Sequence, residues 1–169
     1  CSHANMQTMA DTIRASNVPI IVSHTGCLAI HKNTRNTTDE NLRLLADNGG
    51  VVGIDQIRPH ITTLREGALQ HYLNHLEHAV NVCGIDHVGI GSDRDHRYID
   101  MTPEYLDELR AEQGANLNED LLPWFMVELN GPRRMETIWG GLKDRGLSDG
   151  QVEKIMGENV RRVCFETIG

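Results

Sequence analysis

Pro19-Ile20-Ile21-Val22-Ser23-His24-Thr25-Gly26 is a short β-branched run that ends in a histidine and breaks at a glycine. Parallel strands covered on both faces read as continuous Val/Ile runs rather than as alternating ones. A ligand-type residue at the end of such a run stands at the carboxyl edge of its sheet. The pattern recurs twice. Val51-Val52-Gly53-Ile54-Asp55 ends in an aspartate, and His87-Val88-Gly89-Ile90-Gly91-Ser92-Asp93 ends in another. The chain opens on Cys1-Ser2-His3, in the manner of the last residues of one more strand.

Working outward, helical patterns separate these runs. Asn5 or Thr8 starts a helix to about Ser16, with Met6, Met9, Ala10 and Ile13 on one face. A strand follows over 18–23. Thr37-Thr38-Asp39-Glu40 is a helix start with an acidic first turn, and Asn48-Gly49-Gly50 stops that helix before the strand over 51–55. Leu69 to Val82 is amphipathic, with Leu69, Leu73, Leu76 and Val80 on one face, and Gly84-Ile85-Asp86 turns it into the strand over 87–92. This α-β-α-β-α-β rhythm is that of parallel strands joined by helical crossovers.

The rhythm lapses over 94–130, a polar segment with a helix over 103–112 and a loop over 114–120, of the kind that serves as a lid or a partner surface. From Pro132 the chain returns to helices, one from Ser148 to Met156 and a last one from Glu158 to Glu166. Three strands and the end of a fourth cannot close a barrel. The expected fold is therefore α/β, the C-terminal half of a (β/α)8 TIM-type barrel. Residues 1–169 would form the C-terminal part of a single barrel domain, with 94–130 an inserted loop and helical segment. In such barrels the chemistry sits at the C-terminal ends of several strands.

With 169 residues and a net charge of −8, the chain lacks the basic patch of a nucleic-acid binder or of a protein drawn to anionic lipid. Its four cysteines, Cys1, Cys27, Cys83 and Cys164, show no C-x-x-C spacing and read as isolated reduced thiols. Because the chain begins at Cys1 without an initiator methionine, its compartment is left open between cytoplasm and export.

The sharpest constellation is His3, His24 and Asp93, with Arg35 nearby. Imidazoles and carboxylates are the ligands of a zinc-type ion, and adjacent parallel strands, ~4.8 Å apart, can bring two of them to one ion. The alternative is a histidine that caps a helix or bonds a loop carbonyl. His71-x3-His75-x2-His78 has the i, i+4 spacing of a metalloprotease helix but Tyr72 where a glutamate is needed, so these read as solvated or boundary histidines. Asp39-Glu40, Arg133-Arg134 and Arg161-Arg162 read as helix-start or helix-surface charges. Ser23-His24 and Ser92-Asp93 are poor nucleophile pairs, because neighbours in a strand point to opposite faces.

Taken together, Ser2-His3-Ala4-Asn5, the run 19–25, Arg35-Asn36-Thr37-Thr38-Asp39-Glu40, Gly49-Gly50-Val51-Val52-Gly53, Gly84 to Asp93 and Gly157-Glu158-Asn159-Val160-Arg161-Arg162-Val163 resemble the membrane dipeptidases, peptidase family M19 of the amidohydrolase superfamily. The resemblance implies a hydrolase with two zinc ions (Zn2+) per complete site, which cuts the peptide bond of dipeptides with a metal-activated water and tolerates D-residues at the C-terminal position. His3 and His24 match the histidines that hold the second zinc. Arg35 matches the arginine that binds the substrate's terminal carboxylate. Asp93 matches the aspartate beside the first zinc that handles the proton of the attacking water. The family's H-x-D pair, its metal-bridging glutamate and a further substrate-contacting histidine belong to an N-terminal half that is not in this sequence. The expected partners are therefore a dipeptide, that missing half or a second chain, and a homodimeric copy.

Departures from the family pattern are local. The motif after the last strand reads Ser92-Asp93-Arg94-Asp95-His96, with Arg94 and His96 in place of an aromatic and a glycine, and His60 stands where mammalian members carry a tyrosine. A catalytically inactive scaffold on the same barrel, or another amidohydrolase such as a deaminase or lactonase, is the alternative function.

Overall fold

The computed structural model describes residues 1–94 and 97–169. Three strands, β1 (Ile21–Thr25), β2 (Val51–Asp55) and β3 (Val88–Ser92), form one sheet in that order. Both pairings are parallel. The chain crosses from β1 to β2 through α2 (Asp39–Asp47), and from β2 to β3 through α3 (Arg58–Ile61) and α4 (Ala68–Cys83). Before the sheet lies α1 (Met6–Ala15). After it come α5 (Pro103–Gln113), α6 (Arg134–Asp144), α7 (Asp149–Glu153) and α8 (Asn159–Ile168).

Helices α1, α2, α5 and α7 begin at side-chain caps. The Asn5 side chain accepts from the Thr8 N–H at 2.8 Å, Thr38 accepts from Asn41, and Thr102 from Tyr105. Ser148 and Gln151 form a reciprocal capping box at α7. Strand β1 starts three residues later than the expected 18–23. Pro19 has no N–H for a ladder, and the Ile20 N–H is taken by the Asn48 side chain at 2.9 Å. His24 and Thr25 consequently lie inside the strand. At β3 a single 3-10 turn, Ile85–His87, replaces the first expected strand residue. The two expected C-terminal helices are present, α7 continuing into a π-turn at Lys154–Glu158 and α8 following it, with a kink at Gly157, whose backbone is non-helical, between them.

The core lies between the sheet and its helices. Val22, Val52, Ile54 and Val88 meet Met9 and Ile13 of α1, Leu42 and Leu45 of α2, and Tyr72, Leu73 and Leu76 of α4, all buried. Each such aliphatic side chain contributes about 1.5–3 kcal/mol by leaving water. Strand β2 is buried along its whole length, as expected of a central parallel strand. Gly53 and Gly91 let the strands close up at the far end of the sheet. A Cβ on Gly91 would stand 2.7 Å from the Ser23 carbonyl oxygen, and one on Gly53 would collide with the same atom.

At the opposite end, the last helix ties the strand starts. Asn159, buried, donates through Nδ2 to the carbonyls of Ile85 and Val88 at 2.7 and 2.8 Å. Arg162 is more than a surface charge, because its guanidinium donates to the Gly49 carbonyl at 3.1 Å and to that of Asp86. Among the described residues, no helix is long and apolar enough to cross a membrane, and all four cysteines are free.

Candidate active site

The carboxyl ends of the strands and the segment around His3 meet in one cleft of about 630 Å³, lined by His3, Arg35, His60 and Asp93 among others. His24 comes off β1. The ladder between β1 and β2 shifts register between Val22 and Thr25, which breaks strict side-chain alternation there. The Ser23 Oγ therefore lies 3.0 Å from His24 Nδ1, although neighbours in a regular strand would diverge. Ser2, almost fully buried, accepts from the His24 N–H at 3.0 Å and shares a 2.9 Å hydrogen bond with Ser23. These contacts fix the Ser2-His3 segment against β1.

The result is a close pair of imidazoles. His3 Nε2 and His24 Nε2 are 3.0 Å apart, with ring centroids 5.1 Å apart at a steep angle. Asp93 approaches the same point, its Oδ2 3.6 Å from His24 Nε2. It gets there through a left-handed turn, since Ser92 and Asp93 have φ of 48° and 56°. Two successive non-glycine residues in that region cost roughly 1–2 kcal/mol each, strain of a kind that collects at functional sites. Burial holds the His24 imidazole below its ordinary pKa, against the opposing pull of the Asp93 carboxylate. Neutral imidazole is the form that binds metal.

Arg35 sits on the loop between β1 and α2. Its guanidinium donates to the His3 ring, with Nη1 2.6 Å from Nδ1, while its backbone is held by Asn33 and by the Thr25 hydroxyl, at 2.9 and 2.8 Å. The structure thus brings together all four residues singled out in the sequence. Asp95 and His96 lie outside the described residues, so the His96 departure has no structural account here.

Two ligands of one zinc-type ion, each bonded at ~2.0–2.1 Å in tetrahedral geometry, stand roughly 3.3 Å apart. The His3 and His24 nitrogens fit that spacing closely, with Asp93 adjacent. No cluster of three or more ligating side chains is formed among the described residues, so the donors fit part of a metal site.

The sequence matches the family described as membrane dipeptidase (peptidase family M19) over residues 1–114. The chain belongs to the membrane dipeptidase family. It is 32% identical over 162 residues, 96% of its length, to the dipeptidase verJ of Clonostachys rogersoniana, and 30% identical over 98% of its length to the dipeptidase tcpJ of Claviceps purpurea. It spans only 35% and 33% of those two relatives. Among solved structures, an amidohydrolase from Pseudomonas aeruginosa superposes with a TM-score of 0.78 at 25% identity, over 98% of this chain and 50% of that one. The sheet and crossovers are thus half of the (β/α)8 barrel of this membrane dipeptidase family.

Three further residues shape the site, of which His75 and Arg58 escape the sequence reading and Asp55 reads there only as a strand end. His75 is fully buried, contrary to the boundary placement expected from its helix. Its Nδ1 accepts from the Cys27 N–H at 2.9 Å and its Nε2 bonds the Ile61 carbonyl at 3.1 Å, so it pins the start of the Arg35 loop against α3. The boundary reading holds for His78, half-buried with its Nε2 2.8 Å from Asp39 Oδ1. Asp55, buried at the end of β2, holds His60 Nδ1 at 2.8 Å and caps the Ile57 N–H. Arg58 is the third. It is 1% exposed, and its guanidinium donates to the carbonyls of Leu121, Pro123 and Thr63 at 2.7, 2.9 and 3.0 Å. A Pro-His-Ile sequence after an arginine reads as a surface turn, and nothing local announces a buried guanidinium.

Proposed function

We propose that the full-length protein carrying this chain is a zinc dipeptidase. The observation that carries the reading is the convergence of His3, His24 and Asp93 at the strand ends of a chain in the membrane dipeptidase family. Its relatives verJ and tcpJ are named dipeptidases, which supports the same reading. On this reading the partners are a dipeptide, the rest of the barrel and a second copy of the chain in a homodimer.

His3 and His24 would hold one zinc ion, with the remaining ligands outside this chain. Bound there, the metal would supply Lewis acidity, acidifying water and polarising the scissile carbonyl. The protein's own residues do the rest. Arg35 swings from His3 to the free carboxylate of the substrate, which its planar fork pairs through two parallel hydrogen bonds. Asp93 accepts the proton of the attacking water and returns it to the leaving amine. The Ser2-Ser23 link keeps His24 in place, so its imidazole needs little reorganisation.

The test uses the full-length protein. His3→Ala with His24→Ala should lower bound zinc, measured by elemental analysis, whereas exposed-side His71→Ala should leave it intact. Arg35→Lys should raise KM for dipeptides at least ~10-fold, about 1.4 kcal/mol of lost binding, and should affect a dipeptide amide far less. Equal zinc loss from both sets, or no hydrolysis of any dipeptide by the zinc-loaded protein, overturns the reading and favours a barrel that keeps the fold as a scaffold.

A further inference from the structure

The cleft has two chambers. The polar one holds His3, Arg35, His60 and Asp93. The other, of about 310 Å³, is walled by Ile99, Met101, Tyr105, Leu109, Leu122 and Phe125. Ile57, Asp93 and Trp124 line both. The apolar chamber therefore opens from the polar one at Asp93, and neither Arg35 nor His3 borders it.

This second chamber is built, and the 94–130 segment builds it. Helix α5 supplies Tyr105 and Leu109, the latter 6% exposed, and the stretch 122–125 supplies Leu122 and Phe125, at 6% and 8%. That stretch is fixed from below, because the Arg58 guanidinium bonds the carbonyls of Leu121 and Pro123, and the Arg58 backbone N–H donates to the Trp124 carbonyl at 2.6 Å. Arg94, a cation on the wall, is committed to the Leu129 carbonyl and the Asn130 side chain, at 2.7 and 2.9 Å. The volume is that of about ten waters and lies at the small end of ligand pockets, ~300–1,000 Å³.

A dipeptide held by its carboxylate at Arg35 and cut beside Asp93 has its C-terminal residue in the polar chamber. Its N-terminal residue then lies beyond the scissile bond, on the side of Asp93 away from Arg35. We propose that the apolar chamber seats the N-terminal side chain, so that the preferred substrates are dipeptides with a large aliphatic or aromatic N-terminal residue. This deepens the dipeptidase reading and rests on it. Exposed Glu112, also on the wall, offers a counter-charge to the free α-ammonium of that residue.

The experiment is a substrate panel on the full-length zinc-loaded protein, with L-Phe-Gly, L-Leu-Gly, L-Ala-Gly, Gly-Gly and Gly-L-Phe. The kcat/KM for Phe-Gly and Leu-Gly should exceed that for Gly-Gly at least ~10-fold, as filling an apolar pocket allows. Met101→Trp, which fills the chamber, should collapse the ratio of Phe-Gly to Ala-Gly without lowering that of Gly-Phe to Gly-Gly. An unchanged ratio, or a preference that follows the C-terminal residue instead, overturns the proposal while leaving dipeptide hydrolysis standing. A second readout needs no turnover. An uncleavable analogue of Phe-Gly with a reduced peptide bond should bind at least ~10-fold tighter than that of Gly-Gly, read by a fluorescence shift that vanishes in Trp124→Phe. Binding with that signature but no hydrolysis would keep the pocket and sink the dipeptidase reading; no such signature sinks the pocket.

Discussion

His75 shows what one buried imidazole does for a site it never touches. Burial, reinforced by the imidazoles of His31, His78 and His71, pushes its pKa down to about 4 from 6.5. The folded state therefore holds His75 neutral where the unfolded chain would protonate it. Stability from this group is complete above pH 6.5 and falls as pH drops toward 4, because the unfolded state then binds more protons. The loss reaches about 3 kcal/mol at pH 4. Denaturant unfolding of wild type against His75→Gln, which keeps a donor and an acceptor but does not titrate, should show this pH dependence in wild type alone. A parallel pH profile in both proteins refutes it. Residues at strand ends, His24, Asp55 and Asp93, were legible in the sequence because the end of a β-branched run fixes where a side chain emerges. His75 was not, since the helix repeat tells which face it is on but not that a loop N–H from Cys27 will cover it.

At the scale of elements, the 94–130 segment depends on a single side chain. Arg58 donates to carbonyls on both sides, at Thr63 and at Leu121 and Pro123, and burial lowers its pKa, with no carboxylate partner among the described residues. Replacing it by methionine removes a buried cation but leaves several carbonyls unpaired, each costing about 1–3 kcal/mol. Arg58→Met should therefore release residues 119–130 from the barrel, seen as lost amide-exchange protection confined to that segment and to Thr62-Leu64. Retained protection there would show that apolar packing alone holds the segment. Gly53→Ala is a second probe, because its Cβ has nowhere to go but the Ser23 carbonyl. It should cost several kcal/mol by thermal melting, about the range of overpacked cores. The helices and strands were readable from caps and Val/Ile runs. The missed detail, the late start of β1, is set by a partner distant in sequence, the Asn48 side chain.

For the whole molecule, the topology decides what the chain can do by itself. Among the described residues its sheet is three strands in the order β1-β2-β3, so β1 and β3 each present one unpaired edge there, and a barrel needs those edges joined to further strands. The chain also spans only about half of the matched barrel structure. The proposed metal donors tell the same story, two imidazoles and a neighbouring carboxylate, where a full zinc site calls for more ligands. On the proposed reading, folding and chemistry are completed by the same event, the closure of β1 and β3 onto the remaining strands. Expressed alone, residues 1–169 should self-associate with rising concentration and melt without cooperativity. Co-expressed with the remaining barrel strands, they should give a cooperative transition that zinc raises by mass action. Analytical ultracentrifugation and calorimetry distinguish these states. A monodisperse 18.9 kDa monomer with a sharp melt would mean that the open edges are tolerated, and that this half of the barrel folds without its complement.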